Sequence, residues 1–353
     1  MKVCHLTSAH PQEDIRIFEK ECVSLVNNGY ETYQISCGVT YDRKGVHLIG
    51  VGTPYKGRFG RMTRAAKEVY KAALQLDADV YHFHDPELLP YGLKLKRKGK
   101  IVIFDSHEDI PAQIIDKPWI PRIIRKIVSE LYKRYETHVV KELDAVVVAT
   151  SFIAEKFKDR CNKIVIVNNY PKLDDIEYHD NPFESKENII CYAGGLSEVR
   201  GEDVMKQAMS KVNGRLLLAG DHNKETIDNA QYLGRLDREG INNLYQKSVA
   251  GLCLLKPIEN YINSQPIKMY EYMAAGLPFI CSDFPKWKKI VEETGAGFSV
   301  EFDDIDSIAE LINLLLKNRT LAYEMGKRGH EYVINNCNWA NEEKKLIELY
   351  LSL

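Results

Sequence analysis

The chain has 353 residues, 44% hydrophobic and 28% charged, with 48 Lys+Arg against 50 Asp+Glu and a formal net charge of −2. That length exceeds the size at which a single core stops growing, so two domains are expected, and no apolar run reaches the roughly 18–20 residues of a membrane span. Charge divides unevenly, 27 Lys+Arg against 21 Asp+Glu in residues 1–170 and 21 against 29 in residues 171–353, but no basic and aromatic interleaving accompanies it, which excludes nucleic acid as a partner.

The apolar start at Met1 is too brief for a signal peptide and reads as a buried first strand, which implies a cytoplasmic protein. Runs rich in β-branched residues at Lys2–Leu6, Glu31–Ser36, Val80–Phe83, Ile101–Phe104, Ala145–Ala149 and Ile164–Val167 alternate with helical patterns such as Ile17–Asn27 and Met62–Leu76. Asn169–Asn188, with Tyr-Pro, Asn-Pro and several Asp and Asn, breaks the periodicity and reads as an exposed linker. The alternation resumes with strands at Ile189–Ala193, Arg215–Ala219, Ala230–Leu233, Gly251–Leu255, Phe279–Cys281 and Phe298–Val300. Two doubly wound parallel sheets are therefore predicted, an N-terminal domain over 1–170, a second over 171–337, and a last helix over 338–353 that crosses back to the first. The eight scattered cysteines contain no Cys-x-x-Cys pair, argue against zinc and a disulfide framework, and read as small buried hydrophobes.

Polar residues just past the carboxyl ends of parallel strands face the ligand crevice of a doubly wound fold. In the first half that places His10, His84, Asp85, Glu87, His107 and Glu108 there. Histidines in three separate strand-end loops are hard to ascribe to packing. His84, Asp85, Glu87 and Glu108 could also be read as metal ligands, but no Asp-x-Asp pair sits at a suitable strand end, and the expectation is that no metal is required. In the second half, Gly194 and Gly195 follow the first strand and allow a ligand close to the backbone, with Arg200 five residues on.

The most informative stretch runs from Asn263 to Asp283. Pro266 is suited to a first helical turn, and Gly276 followed by Pro278 ends the helix. Lys268 in the first turn and Glu271 one turn further give a helix amino end able to hold an anion and a polyol together, which describes a nucleoside diphosphate attached to a sugar.

This stretch resembles the donor-binding helix of retaining GT-B glycosyltransferases of the family 4 type, in which a Glu-x7-Glu motif precedes Met-Ala-x-Gly-x-Pro-Val-Ile. Glu271 stands at the second Glu, whose role in the family is to hold the donor ribose, and Asn263 stands at the first. Gly194-Gly195-Leu196 to Arg200-Gly201 is similar to the family's Gly-Arg-Leu-x3-Lys-Gly, with Gly195 where the first cation would be; Lys268 is the expected replacement. Leu217 to Asp221 and Tyr232 to Leu236 resemble the base and ribose pocket, through Gly220, Leu233 and Gly234, and Ser264, Gln265 and Ile267 join Asn263 on the donor side. His5 to His10, Asp14 to Phe18, His82 to Pro90 and Phe104 to Glu108 also look family-like, with His10, Asp14, His84, Asp85, Glu87 and Glu108 on the acceptor side.

The resemblance implies an α/β protein of GT-B type, two Rossmann-like domains facing a deep inter-domain cleft. It implies transfer of a sugar, with retention, from a nucleoside-diphosphate donor, UDP by default, to an acceptor hydroxyl of a glycan or lipid-linked molecule in surface polysaccharide assembly. Arg200 and Lys268 would receive the leaving diphosphate, and His107, with His84 the competing choice, would reach a hydroxyl of the transferred sugar. Other readings of the same fold are a non-hydrolysing nucleotide-sugar 2-epimerase and a catalytically degenerate nucleotide-binding scaffold. Residues 117–134 carry Trp119, Ile120, Ile123, Ile124, Ile127, Val128 and Leu131 at helical spacing with Arg and Lys mostly opposite. They read either as a helix packed on its own domain or as a contact with anionic membrane at the inner face of the cytoplasmic membrane.

Overall fold

The computed structural model describes residues 1–52, 57–117, 119–181, 183–184, 186–221 and 229–353. The chain divides into two compact units, Met1–Asn169 with Ala340–Leu353, and Tyr170–Trp339. In the first, β1 (Lys2–Leu6), β2 (Glu31–Ser36), β3 (Tyr41–Arg43), β4 (Val46–Gly50), β5 (Val80–Phe83), β6 (Ile101–Ser106), β7 (Ala145–Val148) and β8 (Ile164–Ile166) form one sheet. Its order is β3-β4-β2-β1-β5-β6-β7-β8. Among the described strands only the β3–β4 pairing is antiparallel, beside an isolated antiparallel bridge between Gly38 and Gly52. The parallel strands follow the doubly wound order, and chain direction across the sheet reverses between β1 and β5. Strands β5 and β7 are buried at every residue, as expected of a sheet covered by helices on both faces.

The second unit repeats the plan with β9 (Ile189–Ala193), β10 (Arg215–Ala219), β11 (Ala230–Gly234), β12 (Ala250–Cys253), β13 (Phe279–Ser282) and β14 (Gly297–Val300). All are parallel, in the order β11-β10-β9-β12-β13-β14. The order reverses between β9 and β12, so each unit has a switch point where a ligand crevice opens beyond the carboxyl ends of the strands.

The structure differs from the sequence expectations in several places, among them the helix expected over 117–134, which begins only at Arg125 and runs to Val140. The β3–β4 hairpin was not anticipated: it turns at Lys44 and Gly45, both at positive φ (49° and 78°), with a Lys in place of the usual Asn or Asp before Gly. The first helix starts at Ile15, two residues early, because the Asp14 carboxylate accepts from the amides of Arg16 (2.9 Å) and Ile17 (3.0 Å). The segment 169–188 is not a bare linker, since Ile176 and Phe183 are buried in the second unit's cores. Pro266 sits at the N-cap, in extended conformation, and the helix proper spans Ile267–Ala274.

The final helix Trp339–Leu351 lies largely within the first unit. The Glu342 carboxylate accepts from the Asn168 amide (2.7 Å), and the buried Tyr350 reaches His82 (2.9 Å). None of the eight cysteines is in a disulfide, and six are buried. Among the described residues no helix is long and apolar enough to cross a membrane.

Candidate functional site

In the second unit the sequence-predicted cations converge on two glycines. Gly194, at φ 143°, leaves β9 with its amide bonded to the Ala219 carbonyl (2.8 Å). A Cβ placed there would lie 2.6 Å from both Cε and Nζ of Lys268, and one placed on Gly195 would lie 2.6 Å from Nη1 of Arg200. Both glycines thus make room for a cation. Arg200 lies beside the hydroxyls of Tyr261 and Tyr192, which favour its charged form, and Lys268 lies over the Tyr192 ring, its Nζ 5.0 Å from the centroid. Burial pulls the Lys268 ammonium below its ordinary pKa, and Arg200 adds to the pull. Two cations held this close favour an anionic ligand between them.

Gly220 and Gly234 end the neighbouring strands, and the Gly220 amide donates to the Gly234 carbonyl (2.9 Å). A Cβ on Gly220 would lie 2.2 Å from the Gly194 carbonyl oxygen, so glycine is needed there for backbone approach. An open cavity of about 420 Å³ is lined, among the described residues, by Gly220, Asp221, Gly234 and Arg235. Leu233 is not part of that lining; it is partly buried and packs against the core beside Leu236.

Glu271 is four-fifths buried, its side chain 19% exposed, and it has partners that sequence reasoning did not foresee. Arg238 Nη1 and Nη2 donate to Oε1 (both 3.3 Å), and the Tyr245 hydroxyl donates to Oε2 (3.2 Å). The signal for Arg238 was its place just past β11. Tyr245 gave none, being one more apolar position of the helix Arg238–Lys247. The Glu271 helix has no side-chain cap at its amino end, and it closes where Gly276 takes φ 67° and Leu277 bonds back to the Tyr272 carbonyl (2.8 Å). Before it, the Ser264 carbonyl accepts from Trp287 (2.8 Å), Gln265 donates to the Tyr270 hydroxyl (3.1 Å), and Asn263 follows the short helix Glu259–Ile262. Asn263, Ser264, Gln265 and Ile267 therefore lead directly into the helix carrying Lys268.

In the first unit the predicted acceptor-side residues separate into an accessible group and a buried one. The loop after β1 wraps the Asp85 carboxylate, whose Oδ2 accepts from the Thr7 hydroxyl (2.8 Å) and the amides of Ser8 (2.6 Å) and Ala9 (3.2 Å). Its Oδ1 lies 3.5 Å from His10 Nε2, and His10 Nδ1 lies 3.4 Å from Asp14. The Asp14 contact, against the effect of burial, raises the His10 pKa. Glu87 accepts from the Ser8 hydroxyl (3.3 Å), and Glu108 pairs with Gln113. His107 is 19% exposed, stacks edge-on to His10 and parallel to His84, and is pushed by burial down to about 3, so it is a neutral imidazole at physiological pH.

Two residues expected on the acceptor side are instead core: Asp85, its side chain 3% exposed, and His84. The His84 side chain is fully buried, Nε2 is 2.9 Å from His5 Nδ1 and Nδ1 is 3.4 Å from Asp105. The reason is an ionic cluster that sequence reasoning did not assemble. Arg16 binds both oxygens of Asp105 (3.1 and 3.2 Å), donates to the Val167 carbonyl (2.9 Å) and lies 3.0 Å from Glu21. Burial and the adjoining Asp105 raise the Glu21 pKa well above the carboxylate range, while Arg16, against the effect of burial, holds Asp105 well below it. Burial also keeps His5 and His82 neutral.

Family models match both units. "Glycosyltransferase Family 4" matches residues 22–170, and "Glycosyl transferases group 1" matches residues 174–332. The chain belongs to the family 4 glycosyltransferases. It is 21% identical over 329 residues to the phosphatidyl-myo-inositol mannosyltransferase of Mycobacterium leprae, covering 84% of this chain and 80% of that one. Among solved structures it is similar to sucrose-phosphate synthase from Thermosynechococcus elongatus (TM-score 0.79, 15% identity, 99% and 98% coverage). It is also similar to Anabaena HepE in complex with UDP and glucose (TM-score 0.72, 12% identity, full coverage of both chains). These likenesses establish the GT-B fold for this glycosyltransferase.

Proposed function

We propose that this glycosyltransferase moves a sugar from a nucleoside-diphosphate donor to an acceptor hydroxyl with retention of anomeric configuration. The observation that carries the reading is the convergence of Arg200 and Lys268 on Gly194 and Gly195, with Glu271 one helical turn away. As the glycosidic bond breaks, the leaving diphosphate gains charge, and preplaced cations stabilise it without reorganisation. The uncapped amino end of the Lys268 helix acts on the same phosphates. Glu271 accepts from the ribose hydroxyls, exchanging its present partners Arg238 and Tyr245 for them. The cavity at Gly220 and Gly234 takes the base. HepE, with UDP and glucose, makes UDP the donor nucleotide to test first.

His107, accessible and neutral, hydrogen-bonds a hydroxyl of the transferred sugar, and the departing phosphate accepts the acceptor's proton as the new bond forms on the same face. No metal takes part in that step. The acceptor, a glycan or a lipid-linked molecule, is met by His10, Asp14, Glu87 and Glu108, with Asp85 holding their loop from beneath. Similarity to a phosphatidyl-inositol mannosyltransferase favours a lipid-linked acceptor at an anionic membrane surface, in surface glycan assembly. Ile127 and Leu131 (both 60% exposed) on the helix Arg125–Val140, with Ile123 (92%) in the turn before it, support such a contact, because they face solvent and not their own core.

Calorimetric titration of UDP and GDP without divalent metal into wild type and Glu271→Ala tests the reading. One nucleotide should bind, and the variant should bind it more weakly by about 1.5–3 kcal/mol, the worth of hydrogen bonds to a carboxylate. Binding unaffected by the variant would remove the donor assignment. The anomeric configuration of the first product, read by NMR, tests retention.

A further inference from the structure

We propose that the first unit holds a structural zinc-class metal ion in its core, bound by His5, Glu21 and His84 with His82 as the fourth ligand. One ligand atom from each of these four fully buried residues lies within 4.8 Å of the others. The separations are specific. His5 Nδ1 is 2.9 Å from His84 Nε2, and Glu21 Oε2 is 3.7 Å from the first and 3.9 Å from the second. A triangle of sides 2.9, 3.7 and 3.9 Å has a circumscribed radius of about 2.1 Å, so one point, in the plane of the three atoms, lies at the zinc–nitrogen and zinc–oxygen bond length from all of them; an ion there replaces the His5–His84 hydrogen bond, and a tetrahedral centre draws it out of that plane toward His82 as the ligands spread.

The surroundings fit as well. Metal-binding imidazoles use their second nitrogen to bond a carboxylate or another polar group, which fixes the ring. His5 Nε2 meets the Tyr350 hydroxyl at 3.3 Å, and His84 Nδ1 lies 3.4 Å from Asp105, near enough for an ionic contact but without a regular hydrogen bond. His82 Nδ1 bonds the same Tyr350 hydroxyl at 2.9 Å, while its Nε2, buried, has no hydrogen-bond partner among the described residues. Neither Glu21 oxygen has a regular hydrogen bond, although Oε1 pairs with Arg16 at 3.0 Å. A second group of potential ligands, His84, Asp105 and His107, is less suited because Arg16 already occupies both Asp105 oxygens.

Charge points the same way. Two buried carboxylates face one guanidinium, so the pocket calls for further positive charge. The rival source is a proton on Glu21, shared with the adjoining Asp105. A metal ion would use Glu21 Oε2 and both imidazoles at once, leaving Oε1 to Arg16 and Asp105 to Arg16 and the histidine rings. The site is closed to solvent and made of protein ligands, the form of a structural centre and not of a catalytic one. It ties β1, β5 and the first helix together beneath the acceptor-side loop. It does not depend on the donor assignment, and cysteine spacing gave no hint of it because its ligands are imidazoles and a carboxylate.

The test uses the full chain without an affinity tag, grown with zinc and dialysed exhaustively, with metal measured by mass spectrometry. About one zinc per chain is expected, and cobalt exchanged into the protein should give the visible d–d bands of a four-coordinate site. Glu21→Gln keeps the shape and removes the anionic ligand, and should weaken zinc affinity by more than about 100-fold, beyond what loss of an outer-shell partner costs, with circular dichroism unchanged. Folded wild type that retains no zinc and gives no cobalt bands overturns the proposal and leaves the proton on Glu21. Glu21→Gln holding zinc as tightly as wild type overturns it too. Should the variant fail to fold, the wild-type zinc content and cobalt spectrum decide.

Discussion

Gly195 stands where the family pattern has an arginine, and restoring that arginine should weaken this enzyme's hold on its donor. A Cβ at position 195 would sit 2.6 Å from Nη1 and 3.2 Å from Cζ of Arg200, closer than such atoms approach. The guanidinium of Arg200 already fills the space, so Gly195→Arg brings two cations to one place and pushes Arg200 off Tyr192 and Tyr261. Losing one charge-assisted phosphate contact costs about 1.5–3 kcal/mol, which is roughly 10- to 150-fold in the dissociation constant. Gly195→Ala should give much of this loss. Its effect on folding should stay within about 0.5 kcal/mol, because only the tip of a flexible side chain has to move. Gly194→Ala contrasts with it. There φ is 143°, so backbone strain of about 1–3 kcal/mol adds to displacement of Lys268. The assay is titration of UDP into Gly195→Arg, Arg200→Ala and the double variant, with urea unfolding alongside. The double variant should bind better than Gly195→Arg alone, a coupling that a double-mutant cycle isolates. Gly195→Arg binding UDP as tightly as wild type would refute the reasoning.

Three further outcomes follow from the first unit. His10 should titrate above the ordinary histidine range and return towards it in Asp14→Asn, as read by NMR. Its raised pKa contributes stability that is complete below the unfolded value and lost as pH rises through the folded one, while Asp14's lowered pKa contributes stability lost as pH falls through its own, so the pair stabilises between those limits. Ile127→Glu should leave urea stability within about 0.5 kcal/mol, since the side chain is 60% exposed. Yet it should lower co-sedimentation with anionic vesicles by tenfold or more, as one apolar side chain contributes about 1.5–3 kcal/mol when buried; unchanged, salt-insensitive sedimentation would remove the membrane contact. Arg16→Met should cost about 3–5 kcal/mol by leaving Asp105 buried without its cation, and a midpoint near wild type in denaturant would show that the carboxylate finds another partner.

What the sequence made legible follows from how directly each signal acts. Strands such as β1, β9 and β10 were placed to the residue because a buried parallel strand is a nearly continuous apolar run closed by turn residues. The helix at Ile267 could be read from Pro266, Gly276 and Pro278. Gly194 and Gly195 were legible as close-approach positions, but not what approaches them, since Lys268 comes from more than seventy residues away. Arg238 and Tyr245 stayed hidden behind Glu271 for the same reason. The β3–β4 hairpin was missed because three residues, two of them exposed, leave no hydrophobic alternation to read. His84 was misplaced because position after a strand fixes which edge of the sheet a residue occupies and not whether neighbours cover it.

That covering bears on the chemistry of the residue left accessible. Asp105 lies 3.3 Å from His107 Nδ1 and would ordinarily raise an imidazole's pKa. Here Arg16 holds both oxygens of that carboxylate, and burial outweighs the attraction that remains, so His107 falls to about 3. A neutral imidazole can donate or accept a hydrogen bond without adding positive charge to its loop. His5 and His82, likewise neutral, make no ionic demand on the loop above. Burial therefore keeps His107 a hydrogen-bonding group instead of a cation, with Arg16 offsetting part of the pull of Asp105, while Asp14 and Asp85 shift His10 in the opposite direction.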